Sequence, residues 1–158
     1  MTDEKIYEEI KKFFKIQELV SKKVYDKHGE AAWKFMCPRL LHTLLIIRIL
    51  IDSPITINNW HRGGSFGQRG LRSNLGYIFY KMFKRGRLYL SGHVLGKAID
   101  FDVYGMSAVE VRDWLETIED QLPYKIRLEN KMKGKPISWV HLDVLWDVKK
   151  NKIYKFNV

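Results

Sequence analysis

A single cysteine, Cys37, in 158 residues excludes an internal disulfide framework and any zinc knuckle built from cysteines. A metal in this protein must therefore be held by histidine and carboxylate side chains. Cys37 precedes Pro38 at the head of an apolar segment, where a small buried thiol packs without a chemical role. Long hydrophobic runs are also missing: the most apolar stretch, LLHTLLIIRILI at 40–51, is too short to span a bilayer and carries Arg48. The opening MTDEKIYEEIKK is charged and has no apolar core of the secretory kind. The chain is thus expected to be made in the cytoplasm without a signal peptide and to have no membrane partner. The glycines match neither a phosphate loop nor a dinucleotide fingerprint, because no Gly-Lys-Ser/Thr follows them.

What is present is positive charge. Twenty-eight Lys and Arg against eighteen Asp and Glu give +10, a surface that attracts polyanions: nucleic acid, anionic lipid or an acidic cell-wall polymer. The length and a 46% hydrophobic content suit one domain over 1–158, divided into an N-terminal helical part (1–54) and a core (55–158).

Ile6, Ile10, Phe13, Val20 and Val24 recur at helical spacing among Lys and Glu and predict an amphipathic helix over about 3–27. Pro38 suits the first turn of a second helix to about 51, stopped by DSP at 52–54. PITINNW alternates like a strand, and HRGGSFGQRG, with four glycines in ten residues, reads as an irregular loop of the kind that carries function. Asn58, Asn59 and Trp60 beside those glycines suit the wall of a peptide cleft and a plain surface turn equally well. LRSNLGYIFYKMFKRG predicts a third helix with Leu75, Ile78, Phe79 and Met82 on one side, and RLYLSGH a strand leading into SGHVLGKAIDFDV. Ser107 and Glu110 form a capping box for a helix from 108 to about 120, with Val111, Trp114, Leu115 and Ile118 as its apolar stripe. YKIRLEN, SWVHLDVLW and KIYKFNV alternate with period two and predict a closing antiparallel meander. The class is α+β: N-terminal helices packed on a small antiparallel sheet.

Alternation also sorts side chains into faces. Val140, Leu142 and Val144 join Ile126 and Leu128 on the core face, so Trp139, His141 and Asp143 share the opposite face with Arg127 and Glu129. In SGHVLGKAID, His93 and Asp100 stand seven apart with Gly96 and Ala98 leaving the backbone between them unobstructed. Two imidazoles and one carboxylate with an open fourth position suit a catalytic zinc, for which His93, Asp100 and His141 are the required set; on spacing alone, histidines satisfied within the fold account for the pattern equally well. His28, His42 and His61 have no partner pattern.

SGHVLGKAID resembles the first signature of the D-alanyl-D-alanine metallopeptidase family, written Ser-x-His-x-x-Gly-x-Ala-x-Asp, and matches it at every specified position. SWVHLDV at 138–144 is similar to the second signature, an aromatic residue just before the last zinc-binding histidine. GLRS at 70–73 is similar to the family's Gly-Tyr-Arg-Ser, with Leu71 in place of tyrosine. The three occur in the family's order. The resemblance implies zinc on His93, Asp100 and His141, with Arg72 at the oxyanion or the substrate carboxylate. It further implies a zinc metallopeptidase that cleaves peptidoglycan stem peptides, as an L-alanyl-D-glutamate endopeptidase or a D-alanyl-D-alanine carboxypeptidase. Such proteins include phage endolysins, which reach the cell wall without a signal peptide of their own. Many members carry a catalytic glutamate three residues before the last histidine, where this chain has Ser138. Glu129, on the His141 face of the adjoining strand, is the expected substitute base, with Asp143 second. Trp139, Ser91 and Asn59 are expected to contact substrate. Two rivals stand beside this reading. One is a phage virion protein that keeps the fold without catalysis, favoured by Ser138. The other is a basic nucleic-acid-binding module, suggested by KMFKRGR at 81–87 and the lysine-rich N-terminal helix but disfavoured because those residues lie apart from the His/Asp group and carry no known motif.

Overall fold

The computed structural model describes residues 1–86, 88, 90–145 and 152–158, and of Ile78 the backbone alone. The helix expected over 3–27 is three helices: α1 (Asp3–Ile10), α2 (Ile16–Leu19) and α3 (Lys22–His28). Ile6 and Ile10 are buried as their spacing requires, but the next inward position is taken by Phe14, and Phe13 is 40% exposed. The second break is imposed from outside. Val20 and Ser21 are extended because Ser21 N–H donates to Leu71 O at 2.8 Å and Leu71 N–H donates to Leu19 O at 2.8 Å. A tertiary backbone pairing here outweighs local helix propensity.

α4 (Pro38–Ile51) runs as expected, with Pro38 in its first turn and Asp52 in the left-handed region at φ 45° after its end. β1 shrinks to Ile55–Thr56. Leu71 is buried, but among the described residues no apolar side chain between it and Ala98 is. α5 (Tyr77–Lys84) is therefore not the core helix its pattern predicts: Leu75, the head of the expected stripe, is 74% exposed. The strand expected over 87–93 falls partly on residues 87 and 89, outside the described residues. Its described members are not strand, and His93 lies in a turn. The strand β2 begins only at Ala98 and runs to Val103.

α6 (Ala108–Thr117) starts at the expected capping box: Glu110 N–H donates to Ser107 Oγ and Ser107 N–H to Glu110 Oε2 at 2.7 Å. It packs on β2 and on β5 (Val140–Asp143). β3 (Ile126–Met132) turns into β4 (Lys135–Pro136), and the sheet order is β1-β2-β5-β3-β4 with antiparallel pairs.

β6 (Ile153–Asn157) corrects the expected antiparallel meander, because it pairs with β3 in parallel, Ile126 beside Ile153. The reason lies in β5, which runs against β3 and ends with Asp143 opposite Arg127, at the start of β3. A chain that leaves β5 there and rejoins β3 at Ile126 has only the parallel direction open to it. The face assignment holds: Ile126, Leu128, Val140, Leu142 and Val144 are all buried in one core shared with α1, α4 and α6.

Candidate metal centre

Asp100 and His141 are direct cross-strand partners in β2 and β5. The β5–β3 register, Arg127 to Asp143 and Leu128 to Leu142, carried one pair further sets Glu129 opposite His141. Phe156 follows on β6. One row across four strands thus reads Asp100, His141, Glu129, Phe156 on the face away from the core. His93 reaches that row from the turn before β2.

Two close backbone approaches place the turn. Gly96 has φ +65°, and a Cβ there would lie 2.1 Å from Phe35 O; its own carbonyl accepts Cys37 N–H at 2.9 Å. A Cβ on Gly70 would lie 1.9 Å from Leu19 O. Gly70 O accepts the His93 Nδ1–H at 3.0 Å. Since a carbonyl only accepts, Nδ1 carries a hydrogen, and Nε2 is turned toward Asp100, whose Oδ2 is 3.3 Å away. The alanine of SGHVLGKAID is small for a similar reason, because Ala98 Cβ is 2.8 Å from where a side chain on Gly92 would begin.

His141 is held from both ends. Nδ1 is 2.7 Å from Asp100 Oδ1, and Nε2–H donates to Asp143 Oδ2 at 3.3 Å. Asp143 is completely buried and fully engaged: Arg127 grips both its oxygens at 2.8 and 2.9 Å, and Leu145 N–H donates to Oδ1 at 3.1 Å. Its lone pairs are already directed at partners, which suits it to holding His141 in place and leaves little room for a water. Arg127 also lies over the Phe156 ring, 4.8 Å from its centre. His93, Asp100 and His141 form a buried group whose ligand atoms all lie within 4.8 Å of one another, and it could hold a metal ion.

The other expected site residues divide. Arg72, Ser91, Trp139, Glu129 and Asp143 line one cavity of about 350 Å³ with the His/Asp group. Glu129 Oε1 lies 4.0 Å from His141 Nε2. Arg72 places Nη2 3.0 Å from Asp100 Oδ2 and donates Nε–H to Gln68 O, so it braces Asp100 as well as facing the cavity. Asn59 is not part of the lining. Its Oδ1 accepts Phe66 N–H at 2.8 Å and closes the glycine loop, while Asn58 ties that loop to Val20 O and Arg69 N–H. These short amides satisfy backbone groups that an irregular loop leaves open. Ser138 is exposed in a separate cavity beside α6. Arg112 escaped the sequence reading: buried under the sheet, it donates to Ile137 O and Trp139 O at 3.0 Å each and pins the approach to His141. A charged residue in an otherwise helical surface pattern offered no signal of that role.

Burial opposes charge on His141, but the hydrogen bonds to Asp100 and Asp143 prevail and raise it from 6.5 to about 9. Asp100 moves the opposite way: burial alone would raise it, and the hydrogen bonds from His141 and His93 hold it far below the ordinary carboxylate range. In the metal-free protein the His141 cation therefore stabilises the fold, fully below pH 6.5 and progressively less as pH rises through about 9. A metal must displace that proton. Metal binding at neutral pH should release it, and affinity should rise about tenfold per pH unit up to about 9. Calorimetry in buffers of different ionisation enthalpy measures the release; uptake without a proton would contradict the arrangement. Asp143→Asn should weaken metal binding by about 10–100-fold through the lost charged acceptor on His141 Nε2. Competition with a chromophoric chelator reads that change, and unaltered affinity would mean that Asp143 serves the fold alone. No family model, no curated protein and no solved structure matches this chain.

Proposed function

We propose that the protein is a zinc-dependent peptidase acting on peptidoglycan stem peptides, as an L-alanyl-D-glutamate endopeptidase or a D-alanyl-D-alanine carboxypeptidase. The observation that carries this reading is the convergence of His93 Nε2, a buried Asp100 carboxylate and His141 Nδ1 in an accessible cavity, each imidazole fixed by a hydrogen bond at its other nitrogen. The donor set fits zinc, which takes imidazole and carboxylate in tetrahedral sites and keeps one position open in enzymes. Bond lengths of about 2.0–2.1 Å imply ligand edges of about 3.3 Å, close to the 3.3 Å between His93 Nε2 and Asp100 Oδ2. Zinc in this site would supply Lewis acidity toward a water and the scissile carbonyl.

Glu129 is the cavity carboxylate without a hydrogen-bonded cation of its own among the described contacts, and it sits next to His141 in the sheet row. It would take a proton from the attacking water as oxygen adds to the carbonyl carbon, then return it to the departing amine as the C–N bond breaks. Arg72 would orient the substrate carbonyl or carboxylate from the other wall. Trp139 and Ser91 would contact the peptide. The three motifs that resemble the metallopeptidase family meet here: GLRS provides Arg72 and the Gly70 carbonyl, SGHVLGKAID provides two ligands, and SWVHLDV provides the third.

Digestion of purified peptidoglycan by the zinc-loaded protein, with the fragments identified by mass spectrometry, tests the proposal and names the bond. New amino termini at alanine–glutamate linkages or released terminal D-alanine are the expected products. A zinc-loaded protein that leaves stem peptides intact would favour the non-catalytic virion protein, whose case rests on Ser138.

A further inference from the structure

Between Ser53 and Ile99 the sequence contains no Asp or Glu and eight Lys and Arg, so this stretch carries most of the chain's +10. The part of it after Leu71 leaves apolar side chains uncovered. Tyr77, Tyr80 and Phe83, at i, i+3 and i+6 on one side of α5, are 76%, 53% and 70% exposed, and Leu88 and Leu90 beyond the helix are 85% and 67% exposed. Lys81 and Lys84 are exposed on the same helix, and Lys84 Nζ lies 4.7 Å from the Tyr80 ring centre. Leu90 also lines the metal cavity, so the patch borders its mouth.

Apolar surface of this kind calls for a partner. A second copy would set one acid-free, cationic stretch against another. Nucleic acid or a wall polymer would pair with the lysines and arginines but leave leucine and phenylalanine in water. A lipid interface accommodates both, with rings and aliphatic groups at the acyl boundary and cations among the phosphates. α5, eight residues and about 12 Å long, can lie on such a surface and cannot cross it. We propose that α5 with Leu88 and Leu90 docks the protein on an anionic lipid surface, setting the mouth of the metal cavity beside the membrane. The docking needs no peptidase activity and stands apart from it, and it departs from the expectation of no membrane partner, which rested on the lack of a spanning run and not on the surface.

The full chain should co-sediment with vesicles of phosphatidylglycerol and phosphatidylcholine, weaken as salt is raised, and bind vesicles of phosphatidylcholine alone far less. Lys81→Gln with Lys84→Gln should weaken binding about 25-fold, from roughly fivefold per cation near the surface. Phe83→Asp with Leu88→Asp should abolish it. All four positions are exposed, so circular dichroism and metal content should match wild type. Equal binding to both vesicle types, or full binding by the aspartate variant, would overturn the proposal. So would absent vesicle binding alongside tight, salt-dependent binding of duplex DNA, which would assign the charge to nucleic acid. Should the aspartate variant misfold, the lysine variant and the wild-type salt dependence decide the matter by themselves.

Discussion

Replacing Asp100 with alanine should leave the purified protein without stoichiometric metal. Its carboxylate touches His93, His141 and Arg72 at once, at 3.3, 2.7 and 3.0 Å, so no neighbouring group can take its place. Wild type should carry about one equivalent of zinc, and affinity should fall at least about a hundredfold on loss of one ligand from so small a set. The metal-free variant also leaves two buried imidazoles and a guanidinium without their shared anion, so its melting temperature should fall even against metal-free wild type. Elemental analysis and thermal melts with and without chelator measure both effects. Stoichiometric zinc persisting after alanine replaces His93, Asp100 and His141 together would place the metal elsewhere and remove the basis of the proposed chemistry.

Glu129→Gln should keep the metal and lose peptidoglycan cleavage by about two to four orders of magnitude, the usual contribution of a positioned general base. The substitution preserves shape and removes only the ability to hold the proton. The His141 separation of 4.0 Å places the carboxylate beside a ligand without itself entering the His/Asp group. Asp143 cannot substitute, because Arg127, Leu145 N–H and His141 already occupy its oxygens. Equal turnover by the glutamine variant would exclude Glu129 as base. Retained zinc with inactivity in wild type as well would instead move the protein to the non-catalytic reading.

The parts legible in the sequence are those governed by local periodicity. Period two in YKIRLEN and SWVHLDV puts Glu129, Arg127, His141 and Asp143 on one face, since side chains alternate whatever the strand pairs with. The capping box at Ser107 and the proline start at 38 depend on neighbours three or four residues away, and both hold. The illegible parts depend on distant partners. Helix 3–27 breaks because Leu71, some fifty residues on, claims the backbone at Leu19 and Ser21. YIFYKMFK has a helical stripe but no core against which to lay it, so the pattern foretold the helix and not its exposure. Asn59 read as a cleft residue because amides beside glycines suit ligands and loop backbones equally well.

By itself, then, the sequence determined the α+β class and the face on which Glu129 lies, and with the family resemblance it singled out His93, Asp100 and His141 as a group that could hold a metal. Spacing and alternation are properties of the chain alone, and they suffice for the class and the face. Only the tertiary structure decided that Asp100 and His141 are cross-strand neighbours, that Asp143 hydrogen-bonds His141 and is bound by Arg127, that Arg72 braces Asp100, and that β6 runs parallel to β3. Each of these is a matter of strand register and of which hydrogen-bonding groups burial forces into contact. Such contacts arise only when segments far apart in the chain close on one core.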